Sequence, residues 1–139
     1  MTLAFCVSLQ SAVYARLASD PDLAGLIGGA IYDAPPEGTG TERIAHVTLG
    51  EERTWPFNTK TSAGARHDFV VVVHSGEEGF ATAKRVATAV CAALVDAPLA
   101  LQQGRLISLS FQRATAERAA APDKRRVSLL FRAIVDQDL

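Results

Sequence analysis

The sequence contains little that is typical of a membrane, secreted or metal-binding protein. Its apolar runs are short, as at Phe69–Val73, so we expect no membrane contact. The N-terminal MTLAFCVSLQ lacks the basic stretch of a signal peptide. The two cysteines, Cys6 and Cys91, stand far apart, and neither has a histidine or second cysteine at metal-ligand spacing. We therefore expect two buried, reduced thiols in a protein made in a reducing compartment.

An excess of either charge is also missing. The chain has 14 Lys and Arg against 15 Asp and Glu, which gives a net charge of −1. Nothing in this balance marks the whole chain as a binder of nucleic acid or of anionic membranes. A length of 139 residues with 48% hydrophobic content is typical of one soluble globular domain, so we expect a single domain over 1–139.

Motifs for catalysis or cofactor binding are absent from the sequence. His46, His67 and His74 are scattered without metal-ligand spacing, and we expect them at the surface or at strand edges. The segment 38–40, Gly-Thr-Gly, lacks the spacing and the lysine of a phosphate-binding loop. Acidic residues near strand ends, such as Glu51, are usually solvated. We therefore predict no enzyme and no cofactor, with a small hydrolase as the alternative in that class.

One basic cluster, Lys124-Arg125-Arg126, could contact phosphates. It stands beside Asp123, however, and the chain has no interleaved aromatic residues on which bases could stack. A solvated turn or a salt bridge between subunits explains the cluster better. A DNA-binding module remains the alternative, and it would require binding that weakens steeply with salt.

Hydrophobic periodicity predicts an α+β fold with the order α-β-β-β-α-β-β. We expect a mainly antiparallel sheet of about five strands with two helices packed on one face. The segment 68–74 is apolar on both faces, so it should be central, with helices on one side and a neighbouring subunit on the other. The helices are predicted at about 2–19 and from 75–76 to near 98, and the strands at 30–33, 43–49, 68–74, 105–113 and 126–136.

Two polar segments are predicted to project as arms, at 50–67 and 114–125. The first carries the large rings Trp55 and Phe57, which a freely solvated loop has little reason to keep. Long loops without structure of their own are usually functional or disordered, so the first arm predicts a partner surface. The candidate residues for an interface with another subunit or with a tail tube are Glu51, Arg53, Trp55, Phe57, Lys60, Arg66, Arg118, Lys124 and Arg125.

An ordered set of short motifs covers nearly the whole chain. The first three are Leu9-Gln10-x-Ala12-Val13-Tyr14-x-x-Leu17, Gly29-x-Ile31-Tyr32-Asp33-x-x-Pro36 and Val47-Thr48-Leu49-Gly50-Glu51. The fourth is Thr59-Lys60-Thr61-x-x-Gly64-x-x-His67, which runs into the apolar strand and Gly79-Phe80-x-x-Ala83-Lys84. The last is Ala93-Leu94-x-Asp96-Ala97-Pro98-Leu99 with Arg105-Leu106-Ile107-Ser108-Leu109.

In this set the chain resembles the tail terminator proteins of siphophage-like particles, including gene transfer agents. The resemblance implies an α+β subunit that closes into a homohexameric ring on the finished tail tube and stops its polymerisation. It implies contacts with the major tail tube protein and the head–tail connector, and a central channel through which DNA passes without sequence-specific binding. It implies no cofactor, and a protein made in the bacterial cytoplasm and built into the particle neck. The alternative is another neck component, such as a tail-completion or head-completion (stopper or adaptor) protein.

Overall fold

The fold consists of three helices packed on one five-stranded sheet, seen in a computed structural model that describes residues 4–32, 45–58, 63–76, 80–118 and 125–137. The predicted α+β class is confirmed, and the structure adds a short third helix to the two that were predicted. The elements are α1 (Ala4–Ala18), α2 (Pro21–Ile27), β1 (Ile31–Tyr32), β2 (Ala45–Pro56), β3 (Gly64–Ser75), α3 (Ala81–Leu94), β4 (Arg105–Arg118) and β5 (Arg125–Asp136).

The sheet has the strand order β1-β2-β3-β5-β4. Only β1 and β2 run parallel, and the other neighbours are antiparallel. The apolar strand β3 lies in the middle, as predicted, and it pairs with β5 along its whole length, from Gly64 opposite Asp136 to Ser75 opposite Arg125. Alternate residues of both strands are buried, so one face of the sheet carries the core.

All three helices contribute to a core against that face. Leu9 and Val13 of α1 and Val86 and Val90 of α3 are fully buried there. Helix α2 begins at Pro21 because the Asp20 carboxylate accepts a hydrogen bond from the Leu23 amide at 2.9 Å. Among the described residues, no helix has the length and apolar character needed to span a membrane.

The two predicted arms are largely extensions of strands. Residues Gly50–Pro56 continue β2 and 64–67 begin β3, while 114–118 continue β4 and Arg125 begins β5. The sequence pattern misses these extensions because ladder hydrogen bonds join backbone groups, which polar residues supply as well as apolar ones. The remaining parts of the predicted arms, 59–62 and 119–124, lie outside the described residues.

The boundary between β3 and α3 also differs from the prediction. Strand β3 continues through Ser75, which lies opposite Arg125, and α3 begins only at Ala81. The helix start predicted at 75–76 is therefore wrong, because cross-strand pairing holds Ser75 extended. Residues 77–79, between the strand and the helix, lie outside the described part of the chain.

A β-bulge in β2 decides which side chains face the helices. Leu49 pairs with Val71 and Glu52 with Phe69, so two residues of β2 oppose Val70 alone. The extra residue turns Glu52 to the side that Leu49 occupies. A similar register shift in β4, between Leu106 and Ser108, leaves Ile107 exposed although Leu109 two residues later is buried.

Candidate functional site

The face of the sheet turned away from the helices, here called the outer face, carries a cluster of charged residues around one aromatic ring. The bulge places Arg53 and Trp55 on this side, opposite Asp68 and Arg66 of β3. Three of the predicted interface residues, Glu51, Arg53 and Trp55, therefore line one cavity. Its lining consists of Glu51, Arg53, Trp55, Asp68, Val70, Arg113 and Leu130.

Asp68 is the central acceptor of this cluster. Arg132 donates to it from Nε at 3.0 Å and from Nη2 at 3.2 Å, and Arg66 donates from Nη2 at 3.3 Å. Burial favours a higher pKa for Asp68, but the hydrogen bonds and charges of Arg132 and Arg66 outweigh it and hold the pKa below its ordinary 3.8. The Arg66 guanidinium also lies 4.2 Å from the Trp55 ring centre. The ion pairs thus fix the position of Trp55, which stays 38% exposed.

The second predicted aromatic residue, Phe57, lies at the end of the antiparallel pair formed by β2 and β3, here called the hairpin. Phe57 follows β2 directly, and its amide donates to the Gly64 carbonyl at 2.9 Å. Its ring is 49% exposed, so Trp55 and Phe57 give this end of the hairpin two accessible aromatic surfaces. Lys60, predicted to belong to the same surface, lies outside the described residues.

The remaining predicted interface residues lie elsewhere. Arg118 and Arg125 oppose each other at the other end of the sheet, far along the strands from Trp55. Arg125 faces the helices, with its guanidinium 5.5 Å from the Phe80 ring centre. Lys124 lies outside the described residues. The nine candidates therefore do not form one surface.

Sequence reasoning missed three residues of the outer-face cluster: Asp68, Arg113 and Arg132. Asp68 and Arg132 are 64 positions apart and meet because β3 and β5 are paired. The available signal was the alternation of apolar and polar residues along β3 and β5, which places Asp68 and Arg132 on the outward side of their strands. Once the two strands are known to be neighbours, opposite charges at such positions predict an ion pair.

On the opposite side of the sheet, a cluster of polar side chains lies between α1 and the hairpin. The Glu52 carboxylate accepts from His67 Nδ1 at 2.9 Å and from the Thr54 hydroxyl at 3.2 Å, and Cys6 Sγ lies 3.8 Å from His67 Nδ1. His67 is fully buried, so the expectation of a surface or strand-edge histidine is wrong here. His67 faces the core because burial alternates along β3, and the bulge in β2 turns its partners Glu52 and Thr54 to the same side.

Cys6, Glu52 and His67 are types of residue that bind metals, and their ligand atoms lie within 4.8 Å of one another. Two ligands on one tetrahedral Zn²⁺ are separated by about 3.3 Å or more, whereas the Glu52–His67 distance of 2.9 Å is that of a hydrogen bond. Metal on Nδ1 would also put the proton on His67 Nε2, which is buried without a partner in the described part of the chain. The arrangement therefore fits a hydrogen-bonded anchor between α1 and β2.

The anchor keeps Glu52 ionised. Burial favours a higher pKa for this carboxyl group, but hydrogen bonds from His67, Cys6 and Thr54 outweigh it and lower the pKa below 4.5. For Cys6, burial is the largest effect and raises the pKa of the thiol above 9.0. Cys6 is therefore a protonated thiol at neutral pH. Cys6 and Cys91 are both only half-buried, so the expectation of two buried thiols is wrong.

His46 and His74 stack on the outer face near the other end of β2. Their ring centres are 4.5 Å apart, and His74 Nε2 lies 2.9 Å from the Thr48 hydroxyl. Burial, with the nearby His46 and Arg126, lowers the pKa of His74 from 6.5 to about 4. The folded protein therefore holds His74 neutral where an unfolded chain would protonate it.

We expect acid to destabilise the fold through His74 before the carboxylates titrate. Because the unfolded chain takes up this proton near pH 6.5 and the folded chain only near pH 4, stability is full above pH 6.5 and falls between these values. His74→Gln keeps a hydrogen-bonding group beside Thr48 but cannot titrate. Urea unfolding at pH 7, 5.5 and 4.5 should give a flatter pH dependence for the variant, and equal slopes for both proteins would contradict this role of His74.

Comparisons with known proteins agree with the resemblance found in the sequence. The sequence model of the family described as "Tail completion protein gp17" matches residues 11–136. Among solved structures, the chain is similar to a chain of "Virion of native gene transfer agent (GTA) particle", with 48% identity and a TM-score of 0.89. That similarity covers 96% of this chain and 98% of the other. No curated protein matches the sequence. Since the family match spans most of its length, the chain belongs to the family of tail completion protein gp17.

Proposed function

We propose that this chain is the tail terminator of a gene transfer agent or related phage-like particle. It forms a hexameric ring that caps the tail tube, stops polymerisation of the tube protein and joins the tail to the head connector, with a central channel for DNA. The observation that carries the proposal is the 48% identity over nearly the full length of a chain in a gene transfer agent virion. In this role the protein is structural and needs no cofactor.

The edges of the sheet support assembly by head-to-tail contacts. In the described part of the chain, β1 pairs only with Val47 and Thr48 of β2. Residues 50–56 of β2 therefore have no neighbouring strand on the edge away from β3. Strand β4 forms the other edge. Exposed strand edges pair readily with other chains. Because the two edges differ, one edge of a subunit can bind the other edge of the next subunit, which is a heterologous contact. Such contacts form a closed ring when the rotation from one subunit to the next divides a full turn evenly.

We propose that the outer-face cluster around Trp55 contacts either the next subunit or the tube protein. Replacing Trp55 and Phe57 together with alanine should reduce incorporation of the protein into particles at least tenfold, because two exposed aromatic surfaces are lost. Quantitative immunoblots of purified particles measure the effect. Arg85→Ala, which truncates an exposed side chain of α3, serves as the control. Normal incorporation of the double variant would show that the hairpin end is not a joint.

The second candidate, another neck component, is favoured by the family description, which names tail completion rather than termination. Deletion of the gene in a strain that produces the particle separates the two. Loss of a terminator should give tails of uncontrolled length together with tailless heads, since nothing stops the tube. Loss of a different neck component should give tails of normal length that are not joined to heads. Electron microscopy of the lysate decides, and normal joined particles would contradict both candidates.

A further inference from the structure

Two stretches of strand edge are open in the described part of the chain. On β2, strand β1 pairs only beside Val47 and the next residue, so the edge of residues 50–56 has no neighbouring strand. On β4, the Asp96 amide donates to the Leu109 carbonyl at 3.1 Å and covers the edge there, whereas residues 111–118 are exposed and have only β5 beside them. The two open stretches are similar in length, and each offers backbone donors and acceptors to a further strand.

The order of the strands fixes the direction in which two copies can pair. Strands β2, β3, β5 and β4 are neighbours in that order, and each neighbouring pair is antiparallel. It follows that β2 and β4 run in opposite directions. In a ring every copy has the same orientation relative to the axis, so β4 of one copy meets β2 of the next as an antiparallel partner. Antiparallel pairing is slightly more stable per residue than parallel pairing.

The two faces of the sheet also match across such a joint. The hydrogen bonds that reach the two edges involve the Val47 amide and the Leu109 carbonyl, and both of these residues face the helices. Along a strand, every second residue directs its backbone groups to the same edge. Beyond the bulges the helix-facing residues include Thr54 on β2 and Ala116 on β4, so their backbone groups point to the open edges. Joining the edges therefore continues each face of the sheet from copy to copy.

We infer that β4 of one copy pairs with β2 of the next copy, with Glu117 opposite Arg53. This rests on the proposed ring and names the strands and the register that join it. In this register Thr115 lies opposite Trp55, which places a β-branched side chain beside an exposed aromatic ring. The two open stretches lie at opposite ends of the sheet, so neighbouring copies are staggered along the strands. The strands are therefore inclined to the ring axis, as in a closed barrel.

Charge favours this register over its neighbours. Arg53 has no ion pair within the described chain, and Glu117 contacts Arg126 only through Oε1, which leaves Oε2 to accept from Arg53. A slip that keeps the faces matched moves the strands by two residues. One such slip would place Glu117 opposite Glu51, and a second would place Arg113 opposite Arg53, so like charges would meet. A slip in the other direction would carry Arg53 past the end of β4.

Disulfide formation tests the register directly. Arg53→Cys and Glu117→Cys are introduced into one chain, and purified particles that carry it are treated with a mild oxidant. We expect a ladder of covalent oligomers on a nonreducing denaturing gel, because each subunit contributes one new thiol to each of its two joints. The two positions cannot bridge within a subunit, since β3 and β5 lie between their strands. Arg53→Cys with Thr115→Cys, on the same face of β4, is the matched control and should give a ladder at least tenfold weaker.

A second comparison covers the case in which the cysteine pair keeps the chain out of particles. Ala116→Pro removes a donor from the open edge but none from the ladder between β4 and β5, so it should lower incorporation at least tenfold. Ala116→Ser keeps the donor and should be incorporated normally.

Three results would overturn the inference. They are particles that contain the cysteine pair without a ladder, an equally strong ladder in the control pair, and equal incorporation of the two Ala116 variants. Absence of the wild-type chain from particles would instead contradict the proposed function itself, so the two failures are distinguishable.

Discussion

Phe131→Ala should lower the free energy of unfolding by about 3–5 kcal/mol, the range for removal of a fully buried aromatic side chain. Phe131 lies in the middle of β5 with none of its surface exposed. Its ring stacks on Phe69 at 5.6 Å between centres and meets the edge of Phe111 at 6.0 Å. Truncation leaves a cavity where the central strands and the helices meet, and chemical denaturation measures the loss.

Phe111→Ala is the matched control, because it removes the same side chain from the same aromatic group. Phe111 lies on the edge strand β4 and is 42% exposed, so its truncation should cost only about 1 kcal/mol in the isolated subunit. Similar losses for the two variants would mean that the core is not centred on β5.

Gly64→Ala is expected to destabilise the protein by about 1–3 kcal/mol, the typical effect of overpacking. A Cβ atom at this position would lie 2.7 Å from the Val135 carbonyl oxygen and 2.9 Å from that of Phe57. Both atoms belong to the backbone, so relief requires the strands to separate where β3 begins. The Phe57–Gly64 hydrogen bond should weaken, which exposes the hairpin end to proteolysis.

Gly25→Ala makes the same chemical change where there is space. Gly25 lies within α2, and apart from its chain neighbours and the backbone of its own helix no described atom lies within 4 Å of the position that its Cβ would take. Alanine should therefore stabilise the helix by about 0.5–1 kcal/mol. Thermal unfolding of both variants gives the comparison. If Gly64→Ala were as harmless as Gly25→Ala, the close approach of the strands at Gly64 would not constrain the sequence.

The fold could be predicted from the sequence where side-chain pattern alone decides structure. Strand β3 contains four consecutive valines, which predicted a central strand, and the strand predicted at 126–136 agrees with β5. The polar ends of β2 and β4 could not be predicted, because neighbouring strands stabilise them through backbone hydrogen bonds. The bulge after Leu49 was not predicted, although it contains Gly50, and an isolated glycine within a strand is a signal for a bulge.

The candidate site was less predictable than the fold, because its contacts join distant parts of the chain. Glu51, Arg53 and Trp55 were identified from their own segment, but the Asp68–Arg132 pair required knowledge that β3 and β5 are neighbours. Cys6 and His67 are 61 positions apart, so their contact has no local signal. Chemistry assembled by topology, rather than by spacing along the chain, is what the sequence did not reveal.

The bulge in β2 has a consequence for comparing this chain with its relatives. Between Leu49 and Glu52 the strand contains one residue more than its partner strand needs. A relative that lacks one residue at this point keeps Trp55 on the outer face and Thr54 toward α1. A gap of one residue elsewhere in β2 would exchange the two faces for everything beyond it. In an alignment of such proteins, a single gap after Leu49 is therefore neutral, whereas one placed nearer Trp55 indicates a misaligned pair or a different surface.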